Sequence, residues 1–368
     1  MNGTSTWALS DATQLAPPAI EENRGPTLAI TWLNKPDDPV EGLAYGTAAG
    51  WLCIWTFVRN GGNLEIRETY ATQLKNGKGN ADYEIASITY DYSTGHLAVA
   101  QRGGIISAFH VDIALVPHAR APVPAITIAN HRPQTLLFAN TGYGTGGKDL
   151  WSVGGDGRII VLSNNRMQIK MEKVVGVTIG GACLNAQQDA IVVDDVSQGP
   201  VLLRMSNGAL AITKTFNIAC TRLTCKARNV AFHLDNCTAI VVGSDHGLVY
   251  VLDVRTGAEI DVLETGKSAW VQTLDAGHCI DGAPAIVCAH SGAGIEGNAI
   301  QVWRKTGSQA RTEQNLAAAP PQSGLYILAV LAIILLVPYL NDMFKTKPDN
   351  TVSHAPALRD LRISPAFA

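Results

Sequence analysis

The segment Ala239 to Asp253, AIVVGSDHGLVYVLD, constrains the fold more than any other stretch because the chain repeats it. It reads as an apolar strand, a tight turn closed by glycine and a second apolar strand, and its Val and Ile suit a pleated, half-buried surface. The runs Val230 to His233 and Ile260 to Leu263, set off by Asp235-Asn236 and Arg255-Thr256-Gly257, extend it to a four-stranded antiparallel meander over 229–264. One such sheet cannot cover both of its own faces, so it needs neighbours of the same kind.

Five weaker copies supply them. GLAYGTAAGWLCIWT fits without a gap, with Gly46 on Gly243, Gly50 on Gly247 and Trp55 on Leu252. HLAVAQRGGIISAFH contributes Gly104 and Phe109, and LWSVGGDGRIIVLS contributes Gly157 and Leu162. AIVVDDVSQGPVLLRM takes one extra turn residue before Gly199, and AIVCAHSGAGIEGNAIQVWR takes a longer insertion before Trp303. The landmarks Gly50, Gly104, Gly157, Gly199, Gly247 and Asn298 recur roughly every 40 to 55 residues, the period of a β-propeller blade. The fold class expected is all-β: a six- or seven-bladed propeller.

These copies resemble the WD40-repeat family. The likeness is carried by the Gly155-Asp156-Gly157 and Ser244-Asp245-His246-Gly247 turns and by the aromatic strand ends Leu52 to Trp55 and Ile300 to Trp303. The Trp-Asp dipeptide is absent from every copy, as at Trp55-Thr56, Phe109-His110 and Trp303-Arg304, and the Gly-His dipeptide occurs at Gly95-His96 and Gly277-His278. The resemblance covers about residues 26–305 and implies a WD40-like propeller, most of whose family act as protein scaffolds.

The layout expected is an N-terminal arm over 1–25, a propeller over 26–305, a Pro/Ala/Gln-rich tether over 306–323, a transmembrane helix over 324–344 and a disordered tail over 345–368. Residues Ser5 to Leu15 are expected to complete the last blade, because a terminal strand that closes the ring removes a sheet edge. The span rests on Leu325 to Leu340, which carries no charged residue. At about 1.5 Å per residue it covers roughly 24 Å, and flanking residues bring it to bilayer thickness. Lys and Arg flank both sides evenly (Arg304, Lys305, Arg311; Lys345, Lys347, Arg359), so the positive-inside rule sets no orientation. The first thirty residues show no signal-peptide pattern, so a late-inserted span implies a cytosolic propeller. Its shortness favours the endoplasmic reticulum over the outer mitochondrial membrane.

Charged residues are 16% of the chain and the formal net charge is −3, with no dense basic cluster, which argues against nucleic acid as a partner. The seven cysteines (Cys53, Cys183, Cys220, Cys225, Cys237, Cys279, Cys288) form no CxxC pair and read as reduced, mostly strand residues, with a Cys220/Cys225 bridge as the alternative in an oxidising compartment.

Candidate chemistry reads as structural at each place. Gly142 to Lys148 approaches a phosphate loop, but Asp149 stands where Ser or Thr would bind Mg²⁺ and a strand follows instead of a helix. Ser244-Asp245-His246 has the letters of a hydrolase triad, yet neighbours in one turn cannot converge as that relay requires. His110, His118, His131 and His290 lack metal-ligand spacing. Asp194-Asp195 reads as a solvated turn pair. No catalytic, cofactor-binding or metal-binding residue is therefore assigned, and no small-molecule substrate.

The reading is a non-catalytic, membrane-anchored scaffold whose protein partners the residues do not identify. The order propeller, tether, single C-terminal span is also similar to that of the membrane-bound exchange factors for the GTPase that starts COPII coat assembly. Those carry a glycine-rich loop in the first blade, where this chain has Gly46-Thr-Ala-Ala-Gly50. An enzyme built on a propeller is the third class.

Overall fold

The computed structural model describes residues 6–7, 14–15, 22–34, 40–60, 63–74, 80–117, 123–139, 148–163, 166–206, 209–219, 226–233, 235–265, 270–278, 282–291, 300–304 and 362–365. Six four-stranded sheets follow one another along the chain as the blades of a propeller. Blade 1 holds Thr27–Leu33, Glu41–Thr47, Trp51–Asn60 and Asn63–Gln73; blade 2 holds Ile85–Asp91, His96–Gln101, Ile105–His110 and Val123–Thr127. Blade 3 holds Pro133–Ala139, Asp149–Gly154, Arg158–Leu162 and Ile169–Val174; blade 4 holds Ile179–Leu184, Ala190–Asp195, Gly199–Ser206 and Ala209–Thr215. Blade 5 holds Val230–His233, Ala239–Gly243, Leu248–Asp253 and Glu259–Glu264; blade 6 holds Trp270–His278, Pro284–Ser291, Ile300–Arg304 and Arg362–Pro365.

Every hairpin of the repeat pattern is a second-to-third strand pair, which explains why those runs are apolar on both faces: each middle strand lies between two seams. In blade 1, Ala44, Leu52 and Ile54 turn toward blade 2 and bury against Ile85, Ile88 and Leu97. Residues of the alternate parity, Leu43, Tyr45, Cys53, Trp55 and Phe57, form a separate cluster on the opposite face. Comparable clusters fill the seams between blades 2 and 3, 3 and 4, 4 and 5, and 5 and 6.

The turn glycines are fixed by close approach as well as by backbone conformation. Gly104 has φ +81, and a Cβ there would lie 2.6 Å from the Ile128 carbonyl oxygen; Gly157 has φ +77, with the Val177 oxygen at 2.4 Å. Their own carbonyls accept the N–H of Ile128 at 2.9 Å and of Val175 at 2.8 Å. One residue thus reverses the chain and receives the segment leaving the blade's outer strand.

Blade 4 departs from the expected alignment. Its turn bond runs from Gln198 N–H to the Asp195 oxygen at 3.2 Å, as Gly104 bonds Gln101 at 3.0 Å, and the Gln198 carbonyl accepts Ile218 N–H at 3.2 Å. Gln198, not Gly199, therefore holds the landmark place, and no extra turn residue is needed. Asp194 and Asp195 end the second strand and are buried, which corrects the solvated-turn reading.

Among the described residues, the outer strand of the last blade is not drawn from the N-terminal arm. Arg362–Pro365 pairs parallel with Ile300–Arg304 there, within the tail expected to be disordered, while Thr6–Trp7 pairs with Gln14–Leu15. The ladder edge of blade 6 is thereby taken by a C-terminal segment. No helix among the described residues is long and apolar enough to cross a membrane, and the expected span over 324–344 lies outside them. Cys53, Cys183, Cys237 and Cys288 are free thiols; Cys220, Cys225 and Cys279 lie outside the described residues.

Candidate interaction rim and the polar seams beneath it

In an antiparallel blade the turn between second and third strands lies at the same end as the connection to the next blade. That end forms one rim, on which Arg102, Arg132, Lys226, Asp156 and Glu264 are exposed. Its charges are mixed and partly engaged. Arg102 pairs with Glu84, Arg158 bridges Glu172 at 2.8 Å, and Lys226 Nζ sits 4.7 Å above the Trp270 ring. Such a surface lacks the single-signed field that binds polyanions and has the mixed character of protein-contact surfaces.

Directly below the rim, the side chains with chemical potential are tied into the seams. His131, just ahead of blade 3, is buried. Its Nε2 lies 2.8 Å from Ser152 Oγ and its Nδ1 3.2 Å from Asp156 Oδ2. Burial holds the imidazole below its usual pKa, although Asp156 pulls the other way. The ring is thus neutral near pH 7, with Nδ1–H donating to Asp156 and Nε2 accepting from the Ser152 hydroxyl. The connectivity is that of a Ser-His-Asp relay, but Ser152 is fully buried inside a strand, so no substrate carbonyl can reach Oγ. Sequence reasoning missed this trio because its members lie 21 and 25 residues apart.

The tripeptide noticed in the sequence behaves differently. Ser244 Oγ accepts the N–H of Leu248 at 2.8 Å, while the His246 ring nitrogens meet Asp245 at 2.9 Å and Tyr250 Oη at 3.1 Å. Serine and imidazole are not joined. Ser244, Asp195, Gln101 and Thr47 occupy the same place in four blades, each buried at the end of the second strand. Asp195 accepts from Ser197 N–H at 2.9 Å and Thr47 Oγ1 from Trp51 N–H at 3.1 Å, so in blades 1, 4 and 5 this position pins its own turn, whereas Gln101 Nε2 donates to the Leu74 and Tyr83 carbonyls at 2.9 and 3.2 Å.

The seam between blades 4 and 5 carries a buried ion pair. Arg228 Nη2 lies 2.8 Å from Asp194 Oδ1 and 2.9 Å from the Asp195 carbonyl, and Nε lies 3.2 Å from Asp194 Oδ2. Burial pushes the Asp194 carboxyl up to about 6 even with the guanidinium beside it. Gly180 must lack a side chain, since a Cβ would stand 2.6 Å from Asp194 Oδ2 and 2.7 Å from the Arg228 backbone nitrogen.

At the opposite end, Lys148 Nζ donates to Asp91 Oδ1 at 2.7 Å and caps the Tyr92 ring at 4.6 Å. The lysine of the phosphate-loop-like stretch is therefore a tie between blades 2 and 3, and the rest of that loop, 142–147, lies outside the described residues.

The inner strands of blades 4, 5 and 6 touch in series. The protein atoms crowded around Asp275 desolvate its carboxyl and raise its pKa, with the Ala276 N–H partly offsetting this. Desolvation pushes the Cys183 thiol up to about 12, and Asp275 and Cys237 add to the shift. A thiol held protonated in this way is a poor nucleophile. Among the described residues no three His, Cys, Asp or Glu side chains are placed to hold a metal ion. His110 is exposed and His290 lies in the second strand of blade 6, while His118 is outside the described residues.

No protein-family model matches this sequence, and no curated protein matches it. Among solved structures, the fold is similar to the crystal structure of the WD40 beta propeller domain of Doa1, at 12% identity and a TM-score of 0.51, over 74% of this chain and 81% of that one. At that identity the likeness establishes the WD40-type propeller fold alone.

Proposed function

We propose that this chain is a non-catalytic propeller that docks proteins on its rim, anchored in a membrane through 324–344 with the propeller in the cytosol. The observation that supports it best is the use of the reactive side chains. Ser152, His131, Asp156, Asp194, Arg228 and Lys148 all close seams or turns, which leaves the rim as a mixed-charge contact surface. The run Leu325 to Leu340 supports the anchor, and its length favours the endoplasmic reticulum.

Proximity labelling from an N-terminal tag on the full chain tests the partner class. Recurrent labelling of cytosolic assembly proteins is expected. Labelling of the GTPase that starts COPII assembly, together with accelerated nucleotide release by the purified chain, would replace docking with exchange. Topology has an internal reporter: Asn236 is exposed within an Asn-Cys-Thr acceptor triplet. A cytosolic propeller leaves it unmodified, and a glycosidase-sensitive mobility shift would sink that orientation. Release of the intact protein by carbonate would remove the anchor.

A further inference from the structure

Two imidazoles stand side by side at the end of blade 2 away from the rim. His96 opens the second strand, His110 closes the third, and the two are cross-strand partners. The adjoining pair is hydrogen-bonded, Val111 N–H to the Gly95 oxygen at 2.8 Å. His96 and His110 therefore occupy the closer, non-hydrogen-bonded kind of pair in an antiparallel ladder. Their ring centroids are 5.6 Å apart with an interplanar angle of 59°. Gly95 leaves room for the second ring, since a Cβ there would lie 3.2 Å from His110 Cε1.

The contacts of each ring fix its tautomer. His110 Nδ1 lies 3.2 Å from the Val111 carbonyl oxygen, which can only accept, so the proton of the neutral ring sits on Nδ1. His96 Nδ1 lies 3.0 Å from Thr94 Oγ1. The one hydroxyl proton of Thr94 goes to Asp91 Oδ2 at 2.7 Å, so Thr94 accepts from His96 and Nδ1 again holds the proton. Nε2 thus carries the lone pair in both rings. Burial and the adjacent His110 hold the His96 imidazole below its usual pKa, although Asp91 pulls the other way.

A metal-ligating histidine has this same arrangement, with one ring nitrogen donating to a carbonyl or a carboxylate relay and the other bonding the ion. With metal–nitrogen bonds of about 2.0–2.1 Å, two imidazoles on one tetrahedral ion place their centroids roughly 5 Å apart. The observed 5.6 Å is within about half an ångström of that, a shift open to His110, which is exposed. Asp91 is an outer partner here, because its oxygens already accept from Ser93, Thr94 and Lys148.

We propose that His96 and His110 form a two-histidine site for a borderline divalent cation of the Zn²⁺ or Cu²⁺ type, bound through both Nε2 atoms with water in the remaining positions. Hard cations such as Mg²⁺ and Ca²⁺ prefer oxygen ligands and are poorly served by two imidazoles.

The test titrates the full chain with ZnCl₂ by calorimetry and with CuCl₂ by electron paramagnetic resonance. A saturable Zn²⁺ site is expected, weakened more than about 100-fold in His96→Gln and in His110→Gln. Thr94→Val keeps both ligands but removes the acceptor of His96 Nδ1–H, and should weaken the site about 10–100-fold. The Cu²⁺ spectrum should show two coupled imidazole nitrogens in the parent and one in His110→Gln, a substitution at an exposed position that leaves the core untouched. No saturable binding up to about 1 mM Zn²⁺, or a Zn²⁺ affinity unchanged in either histidine variant, would overturn the site.

Discussion

Replacing Arg228 by isoleucine tests the seam logic most directly. Arg228 lies two residues before the first strand of blade 5, at the place that Ile85 takes in blade 2 and Val271 in blade 6. The facing place on the preceding blade is Gly46 for Ile85 and Gly243 for Val271, but Asp194 for Arg228. A Cβ on Gly46 would lie 2.2 Å from Ile85 Cγ2, and one on Gly243 would lie 2.9 Å from Val271 Cβ. Two seams therefore set a β-branched side chain on bare glycine where the third sets a guanidinium on a carboxylate. Arg228→Ile strands a carboxylate that has no solvent exposure. Breaking such a pair from one side costs about 3–5 kcal/mol, or roughly 6–20 °C in Tm at about 2–4 °C per kcal/mol. The double variant Asp194→Gly/Arg228→Ile rebuilds the glycine seam and should return to within about 1–2 kcal/mol of the parent.

The pH dependence adds a second constraint. Burial already sets the Asp194 carboxyl near 6, and removing the guanidinium drives it higher. A carboxyl whose folded pKa lies above its unfolded value of about 4 binds protons preferentially in the folded state, so its contribution to stability falls as pH rises through that window. The Arg228→Ile deficit should therefore be smaller at about pH 5 than at about pH 7.5. Urea unfolding of the propeller, followed by circular dichroism at both pH values, measures it. Equal deficits, or a double variant no more stable than Arg228→Ile, would refute the reasoning.

Three further outcomes follow from the other ties. His131→Ala should cost about 1–3 kcal/mol by leaving Ser152 and Asp156 without their partner. Because burial lowers the His131 pKa, the unfolded chain binds the proton more readily, so this residue's contribution is present above about pH 6.5 and lost as pH falls below it. An NMR titration of His131 and a flatter pH–stability profile in His131→Ala check both points. Gly154→Ala would put a Cβ 2.1 Å from Asp156 Oδ1 and 2.5 Å from His131 Cε1, with an overpacking cost of about 1–3 kcal/mol seen in thermal melts. Lys148→Ala should lower stability by about 1–2 kcal/mol through the loss of its bond to Asp91 and leave the response to nucleotide, followed by calorimetry, unchanged.

The architecture was legible because the blade's demands are local. A middle strand buried on both faces must be apolar throughout, and its turn must accept φ near +80° beside a neighbouring carbonyl, which Gly50, Gly104, Gly157 and Gly247 meet. Such demands recur at fixed spacing, so strand runs and turns could be placed from residue types. The seams were not legible, because each joins residues from different blades. Asp194 meets Arg228 across 34 positions, Asp91 meets Lys148 across 57, and His131 reaches forward to Ser152 and Asp156. None of these pairs has a periodic signature.

Asp194 shows how the two kinds of information separate. Read within its own copy, Asp194-Asp195 after Ile191-Val-Val is a solvated turn pair, whereas both residues end the second strand and are buried. A side chain at this place points at the first strand of the next blade, so its character depends on a residue 34 positions away. With isoleucine or valine there, only glycine fits; with Arg228 there, a carboxylate fits and Gly180 must clear the space. The choice is made jointly by neighbouring blades, and a repeat read one copy at a time registers it only as a departure from consensus. Departures that remain buried, as Asp194 and Arg228 do, are therefore the positions where the seams of this propeller are individually specified.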